Sequence, residues 1–221
     1  MNRTINILLG VFLVPNLLTT IFVGFDLPIQ FLKVSGASLP YKEWIFIGFG
    51  LLIFALILFR SYRRWMGMRI VNQVKRFKWN APVSKQRKGR VNLYQMIEAV
   101  IMAAVAIAIY QVSNSAWPAS LAFLVGTFDN ILFAIIGSSN KYRVGLSSKA
   151  LIVADREVVL LYFTGLRKIS MHQQSIYFDY IKGLQLSFPT DCINPEERAE
   201  FFDILEQQVD RERVFFSKKM K

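Results

Sequence analysis

The sequence has little of the side-chain chemistry on which most enzymes and metalloproteins depend. It contains one cysteine and one histidine in 221 residues, Cys192 and His172. A single cysteine excludes an internal disulfide framework and a cysteine-rich zinc site, and a single histidine excludes most histidine-based metal and catalytic sites. Glycine patterns of the Walker or dinucleotide-binding type are missing as well. We therefore predict a protein that is not an enzyme and that has no catalytic residues, metal ligands or cofactor, and we place His172 in a polar surface loop.

Acidic residues are missing from one long stretch of the chain. Basic residues outnumber acidic ones by 27 to 15, which gives a net charge of +12, yet no Asp or Glu falls between Glu43 and Glu98. Eleven basic residues lie in the segment from Arg60 to Arg90. A nucleic-acid-binding protein usually spreads its basic residues over a folded face, so this concentration in one segment argues against a nucleic-acid partner.

The chain has few charged residues and several long apolar runs. Charged residues make up 19% and hydrophobic residues 53% of the chain, whereas about a quarter of the residues of a soluble domain are charged. A transmembrane helix needs about 20 apolar residues, and four runs approach or exceed that length: 5–25, 44–59, 96–112 and 117–137. Flanking residues extend the second run to 42–64 and the third back to Asn92. The first run occupies the position of a signal peptide, but no cleavage site follows it, which favours a retained helix.

The basic segment predicts the orientation of the four helices. Loop 60–94 carries the positive charge between the second and third helices, and cytoplasmic loops carry an excess of Lys and Arg. Counting outward from this loop places both termini in the cytoplasm and the connections at 26–43 and 113–116 outside. We therefore predict an integral protein of the cytoplasmic (inner) membrane.

The basic segment is also predicted to extend the second helix along the inner leaflet. Apolar residues recur every three positions from Trp65 to Phe77, as in an amphipathic helix at a membrane surface. Anionic headgroups would attract each basic residue there by about 1 kcal/mol; alternatively, the charges only fix the topology. The basic residues to which we assign these roles are Arg60, Arg63, Arg64, Arg69, Lys75, Arg76 and Lys78. Asn80 and Pro82 are expected to end the helical stretch, and 84–90 to form a flexible basic linker.

The residue pattern changes after Gly137 and divides the chain into two domains. Residues 1–138 are predicted to form an α-helical membrane domain of four transmembrane helices, with the basic loop at 60–94. Residues 139–221 are predicted to form a small α+β cytosolic domain.

Short apolar runs separated by turn residues predict the strands of the second domain. They lie at 142–146, 150–153, 158–163, 176–180 and 183–188, and the last two form a hairpin. Pro195 suits the first turn of a helix. That helix is predicted to bury Phe201 and Leu205 on one face and to end near Arg211.

Three segments of the second domain carry a family resemblance: Tyr-Arg-Val-Gly-Leu at 142–146, Gly-Leu-Arg-Lys-Ile-Ser at 165–170 and Leu-Ser-Phe-Pro-Thr-Asp at 186–191. Together with the Phe and Leu of the following helix, they resemble bacterial pleckstrin-homology-like domains over about residues 140–210. The resemblance implies strands capped by a helix, attachment to membrane helices, and binding or scaffolding without catalysis. The predicted strands are fewer than the seven of that barrel, so its closure requires the basic loop or another chain.

A few polar residues interrupt the apolar runs and are the candidate site residues within the membrane. Asp129 and Asn130 lie midway along the fourth run, Asn16 in the first, and Glu98 near the cytoplasmic end of the third, where it is expected to reach toward the interface. A carboxylate at the centre of a bilayer costs a few kcal/mol. Asp129 is therefore either an ion or proton site, or a clamp that holds Asn16, Asn130 or Thr127 of a neighbouring turn or helix; we favour the clamp.

Two functions agree with these observations. The first is a non-enzymatic inner-membrane scaffold or accessory subunit whose cytosolic domain binds a membrane-protein partner or its own copies as a homo-oligomer, on a bilayer with anionic headgroups. The alternative is an oligomeric ion channel or membrane effector, with Asp129 in the conduction path and the cytosolic domain as a sensor.

Overall fold

The computed structural model describes residues 2–29, 34–209 and 214–216 of the chain. The helices in this part are α1 (Asn2–Gly24), α2 (Lys42–Val71), α3 (Lys85–Val112), α4 (Trp117–Ile136) and α5 (Arg198–Gln208). The strands are β1 (Pro28–Ile29), β2 (Val34–Ser35), β3 (Trp79–Pro82), β4 (Arg143–Leu146), β5 (Ala150–Ala154), β6 (Val158–Tyr162), β7 (Leu166–His172), β8 (Ser175–Tyr180), β9 (Gln185–Pro189) and β10 (Phe215–Phe216).

The chain folds into two compact units. The helical unit comprises Met1–Tyr62 and Tyr94–Phe133, and the strand-rich unit comprises Arg63–Leu93 and Ala134–Lys221. Helices α1 to α4 are each long and apolar enough to cross a membrane, which confirms the prediction of four such helices.

Small side chains let the helices of the helical unit approach closely. Gly50 of α2 lies against Pro118 of α4, where a Cβ on the glycine would come within 2.8 Å of the proline side chain. Ser120 of α4 donates a 2.8 Å hydrogen bond to the carbonyl oxygen of Ala106 on α3. Close backbone approach through small residues is the usual way in which membrane helices associate. Small residues of α3 therefore take part in the packing of the helical unit, where Ala99 and Ala106 are buried.

The strand-rich unit contains two four-stranded sheets. One has the order β3-β4-β5-β6 and is antiparallel throughout; the other has the order β10-β7-β8-β9, in which β10 runs parallel to β7. Strands β8 and β9 form the predicted hairpin, with a turn at Ile181–Gly183. Helix α5 buries Phe201 and Leu205, as predicted. The Phe201 ring packs edge-on against Trp79 of β3, with 5.0 Å between the ring centroids.

The basic segment between α2 and α3 supplies strand β3. Trp79 lies opposite Leu146 and Pro82 opposite Arg143 in an antiparallel pair with β4. Trp79 and Ala81 are buried while their neighbours are half-buried, the alternation of a strand with one face in a core. Asn80 and Pro82, which were expected to end a helical stretch, thus lie within a strand. The segment 63–93 lies in the strand-rich unit, whereas the sequence assigned it to the membrane domain.

Helix α2 ends earlier than the amphipathic pattern predicted. It stops at Val71, so the expected helix through Phe77 is wrong over its last part. Side-chain amides occupy the terminal carbonyl groups: Asn72 donates to Met68 at 2.7 Å, and Asn80 donates to Val71 at 2.8 Å. Carbonyl groups at a helix end have no partner within the helix, so these two amides stabilise the termination.

Two further boundaries differ from the prediction. Helix α5 ends at Gln208, and Arg211 lies outside the described residues. His172 is exposed, as expected, but it is the last residue of β7 and pairs with Ser175 of β8. The loop assigned to it is in fact the tight turn between these strands, where Gln173 has a φ of 51°.

Candidate functional site

The basic residues of the segment 60–90 divide between buried and exposed positions. Arg60 and Arg64 are buried, with 6% and 2% of their surface exposed, and Arg63 is half-buried. The exposed members of the predicted headgroup set run from the last turn of α2 to the start of β3 and are Arg69, Lys75, Arg76 and Lys78. We call these four residues the exposed basic cluster. Because they lie at the surface, they are the members of the set that can meet an anionic partner.

Arg60 and Glu98 form an ion pair between α2 and α3 within the helical unit. The Arg60 guanidinium donates to the Glu98 carboxylate, and only 8% and 18% of the two side chains are exposed. Glu98 was expected only to reach toward the interface, and its partner was not predicted. Removal of one member of a buried ion pair is destabilising, because the other charge loses that partner. Arg60 therefore has a structural role in place of a headgroup contact.

Asp129 is held by a hydroxyl group from the neighbouring helix α2. Ser61 donates a hydrogen bond of 2.6 Å to Oδ1 of Asp129. Ser61 follows Arg60 directly and lies just past the end of the uncharged run 44–59 of α2. The Asp129 carboxylate of α4 therefore contacts α2 near the end of that run and not near its middle. The clamp role thus has a partner in Ser61, which the sequence analysis did not name for it.

The other polar candidates of the helical unit lie in different surroundings. Asn130 is buried and its amide contacts the sulfur of Met102 at 3.5 Å. Thr127 donates to the carbonyl oxygen of Phe123 in its own helix at 3.0 Å. Asn16 is fully buried in α1, and within the described residues neither polar atom of its side-chain amide has a hydrogen-bond partner.

The first turns of α3 are anchored by acidic residues of the strand-rich unit. Arg87 pairs with Asp155, in the turn between β5 and β6, at 2.8 Å, and Arg90 pairs with Asp191. Ser84 accepts a hydrogen bond from the backbone N–H of Arg87 at 3.2 Å, as an N-cap residue does. The prediction of a flexible linker at 84–90 is therefore wrong. The sequence did not predict these ion pairs, because Asp155 and Asp191 lie far from Arg87 along the chain. Only the Ser84 cap could have been recognised from neighbouring residues.

The cysteine has no features of a nucleophile. Cys192 is buried, and its sulfur lies 3.9 Å from Oδ2 of Asp155. Burial, reinforced by the nearby Asp155 carboxylate, raises the pKa of the thiol well above its usual range. A protonated, enclosed thiol is a poor nucleophile. In the described part of the chain, no three His, Cys, Asp or Glu residues lie together as metal ligands would.

No protein-family model, curated protein or solved structure matches this chain. The side chains described above can pair charges, anchor a helix and present cations to an anionic surface. Within the helical unit Arg60 pairs with Glu98 and Ser61 with Asp129, and within the strand-rich unit Arg87 and Arg90 pair with Asp155 and Asp191. The exposed basic residues of the segment 60–90 are the exposed basic cluster and Lys85.

Proposed function

We propose that the protein is an integral protein of the bacterial cytoplasmic membrane that acts as a non-enzymatic scaffold or accessory subunit. Its strand-rich unit lies in the cytoplasm and binds a partner protein or a second copy of the chain. Both termini are cytoplasmic in this proposal; Met1 and Lys221 lie outside the described residues. The exposed basic cluster supports this orientation, because positive loops remain on the cytoplasmic side and anionic headgroups attract them.

The observation that carries the proposal is the way in which the strand-rich unit incorporates the ends of apolar helices. Strand β3 leads directly into α3, and Asp155 and Asp191 hold the first turns of that helix through Arg87 and Arg90. A partner that binds the strands therefore binds a body that includes the start of a membrane helix. This construction suits a protein that fixes a partner at a membrane.

The strand order supports a pleckstrin-homology-like unit as part of the proposal. Strands β3 to β6 form one sheet, β7 to β9 form most of the other, and α5 follows them. These are seven strands and a C-terminal helix once the basic segment contributes β3. The resemblance noted in the sequence requires that number of strands, and units of that kind bind ligands or proteins.

Reconstitution separates the scaffold from a channel. We expect liposomes that contain the full chain to show no ion flux above that of empty liposomes. In membranes of the native host, a photoreactive residue placed at exposed positions of the strand-rich unit, such as 160 and 203, should yield discrete adducts of one partner or of the dimer. Flux that is present in the wild type and lost in Asp129→Asn would instead support the conducting alternative and overturn the scaffold.

A further inference from the structure

One end of the strand-rich unit encloses a cavity far in sequence from the exposed basic cluster. The loop between β4 and β5, the loop between β6 and β7, the turn after β8 and the end of α5 surround about 540 Å³. Small-molecule sites typically enclose about 300–1,000 Å³ and are lined mainly by apolar side chains with a few polar groups. The cavity therefore has the size of a ligand site.

Apolar side chains form much of the lining of this cavity. Phe163, Leu166, Ile181 and Val209 come from four different elements or loops. Leu166 and Val209 are buried, whereas Ile181 is half exposed to solvent at the rim. An apolar surface that continues from a buried floor to an exposed rim favours a ligand with an apolar body.

Two cations complete the lining, and none of the described residues that line this cavity carries a carboxylate. Lys149 and Arg167 line the cavity and are exposed. Neither makes an ion pair with another described residue. A cavity of about 510 Å³ near the start of α3 differs, because three acids, Asp191, Glu196 and Glu197, line it together with Lys85 and Arg198. The described charge at the first cavity is thus complementary to an anionic head group.

The sheet edges near the cavity do not favour an extended peptide as the occupant. Strand addition needs free backbone N–H and C=O groups along an edge. The outer edge of β7 is partly covered by β10. On β6, the last strand of the other sheet, the carbonyl of Tyr162 accepts a 2.7 Å hydrogen bond from the Tyr180 hydroxyl. A ligand that needs no strand pairing fits this surface better.

We propose that the cavity binds a single-chain anionic lipid. Its apolar chain lies on Phe163, Leu166 and Ile181, and its acidic head group pairs with Lys149 and Arg167. The site goes beyond the scaffold function, which requires only a protein-binding surface, so either can fail while the other stands.

Photo-crosslinking of the full chain in nanodiscs of zwitterionic lipid tests the proposal, with a diazirine analogue of laurate as the probe. We expect labelled peptides to map to 163–167 and to the turn at 181–183. Laurate and dodecyl phosphate should compete, whereas decanol and inorganic phosphate should not. Lys149→Gln with Arg167→Gln should reduce labelling by about tenfold or more, since charge-assisted hydrogen bonds are lost. The matched control is Lys75→Gln with Arg76→Gln, which removes the same charge elsewhere on the unit and should label like the wild type.

A second variant distinguishes loss of the site from loss of folding in the first variant. Thr164→Trp adds bulk to the lining without changing the charge and should abolish labelling while circular dichroism stays unchanged. Labelling confined to α1–α4, or unchanged in the Lys149 and Arg167 variant, would overturn the site. Competition by inorganic phosphate would show that the cavity binds anions without a lipid chain, which overturns the lipid proposal. Displacement by a polyglutamate peptide and not by laurate would assign it to an acidic protein segment, which also overturns the lipid proposal.

Discussion

Ser61 of α2 and Asp129 of α4 are joined by a hydrogen bond of 2.6 Å between the serine hydroxyl and the aspartate carboxylate. The carboxylate thus has a partner in its own protomer, next to the pair formed by Arg60 and Glu98. Two helices are connected by a short hydrogen bond at a position where an apolar run ends.

A double-mutant cycle measures this connection. Ser61→Ala and Asp129→Leu should each lower the free energy of unfolding, and their coupling energy should be about 1 kcal/mol, typical of hydrogen bonds between membrane helices. Asp129→Asn should keep most of the stability, because an amide oxygen accepts from the same hydroxyl. Unfolding by increasing mole fractions of SDS in mixed micelles gives the energies. A coupling of zero would show that the two side chains do not depend on each other.

Arg60 and Glu98 give a second, larger effect. Arg60→Met should destabilise the helical unit by about 3–5 kcal/mol, because it removes the cation that pairs with the largely buried Glu98 carboxylate. The double variant with Glu98→Met should recover part of that loss, since the carboxylate is then removed as well. The same SDS titration measures both, with Arg69→Met as the exposed control. If the double variant were as unstable as the single one, the pair would not be the source of the loss.

Replacement of Asn16 is expected to raise the free energy of unfolding, unlike the preceding substitutions. Its side-chain amide is fully buried and has no hydrogen-bond partner among the described residues, a state that costs about 1–3 kcal/mol. Asn16→Leu should therefore raise the free energy of unfolding by about 1 kcal/mol or more. The neighbouring Thr20, whose hydroxyl donates to the carbonyl of Asn16 at 2.8 Å, serves as a control through Thr20→Val. A destabilised Asn16→Leu variant would indicate that the amide binds a group such as water.

The thiol of Cys192 predicts how stability depends on pH. Its pKa is raised in the folded state by burial and by Asp155, so the folded protein keeps the proton after the unfolded chain has released it near pH 8.5. Stability should be fully present below that pH and fall above it by about 1.4 kcal/mol per pH unit. Cys192→Ala should flatten the slope of the urea midpoint between pH 8.5 and 10. Above pH 10, Tyr142, whose pKa is also raised by burial, should preserve a slope in both proteins; identical slopes below pH 10 would contradict the assignment.

The exposed basic cluster is expected to affect the membrane topology of the chain and not its stability. Replacing all four of its residues by Gln should weaken retention of the loop on the side that we propose to be cytoplasmic, while leaving the free energy of unfolding nearly unchanged. Replacing Arg60 and Arg64 by Gln should do the reverse, since both are buried. Labelling of single cysteines in intact cells, in a Cys192→Ala background, reports the side on which each loop lies. Wild-type topology in the fourfold variant would show that other residues set the orientation.

The sequence predicts the elements of this fold better than it predicts their partners. Uninterrupted apolar runs predict α1 to α4, and β-branched runs predict β5, β6 and β8, because local composition dominates such elements. Strand β3 escapes this reasoning because Asn80 and Pro82 are poor strand formers and its partner β4 lies beyond two helices. The choice of Ser61 as the partner of Asp129 follows from helix packing, which residue spacing alone does not specify.

The pairing of β3 with β4 determines the order in which the strands of this sheet can pair during synthesis. Because Pro82 lies opposite Arg143, two adjacent strands of one sheet flank the whole of α3 and α4 in the chain. β3 leaves the ribosome first and has no strand to pair with until both helices have been made, whereas β4, β5 and β6 form local hairpins with a small loop-closure cost. Completion of this sheet therefore requires that the residues just before α3 and just after α4 meet, and until then Trp79 and Ala81 of β3 lack their partner strand.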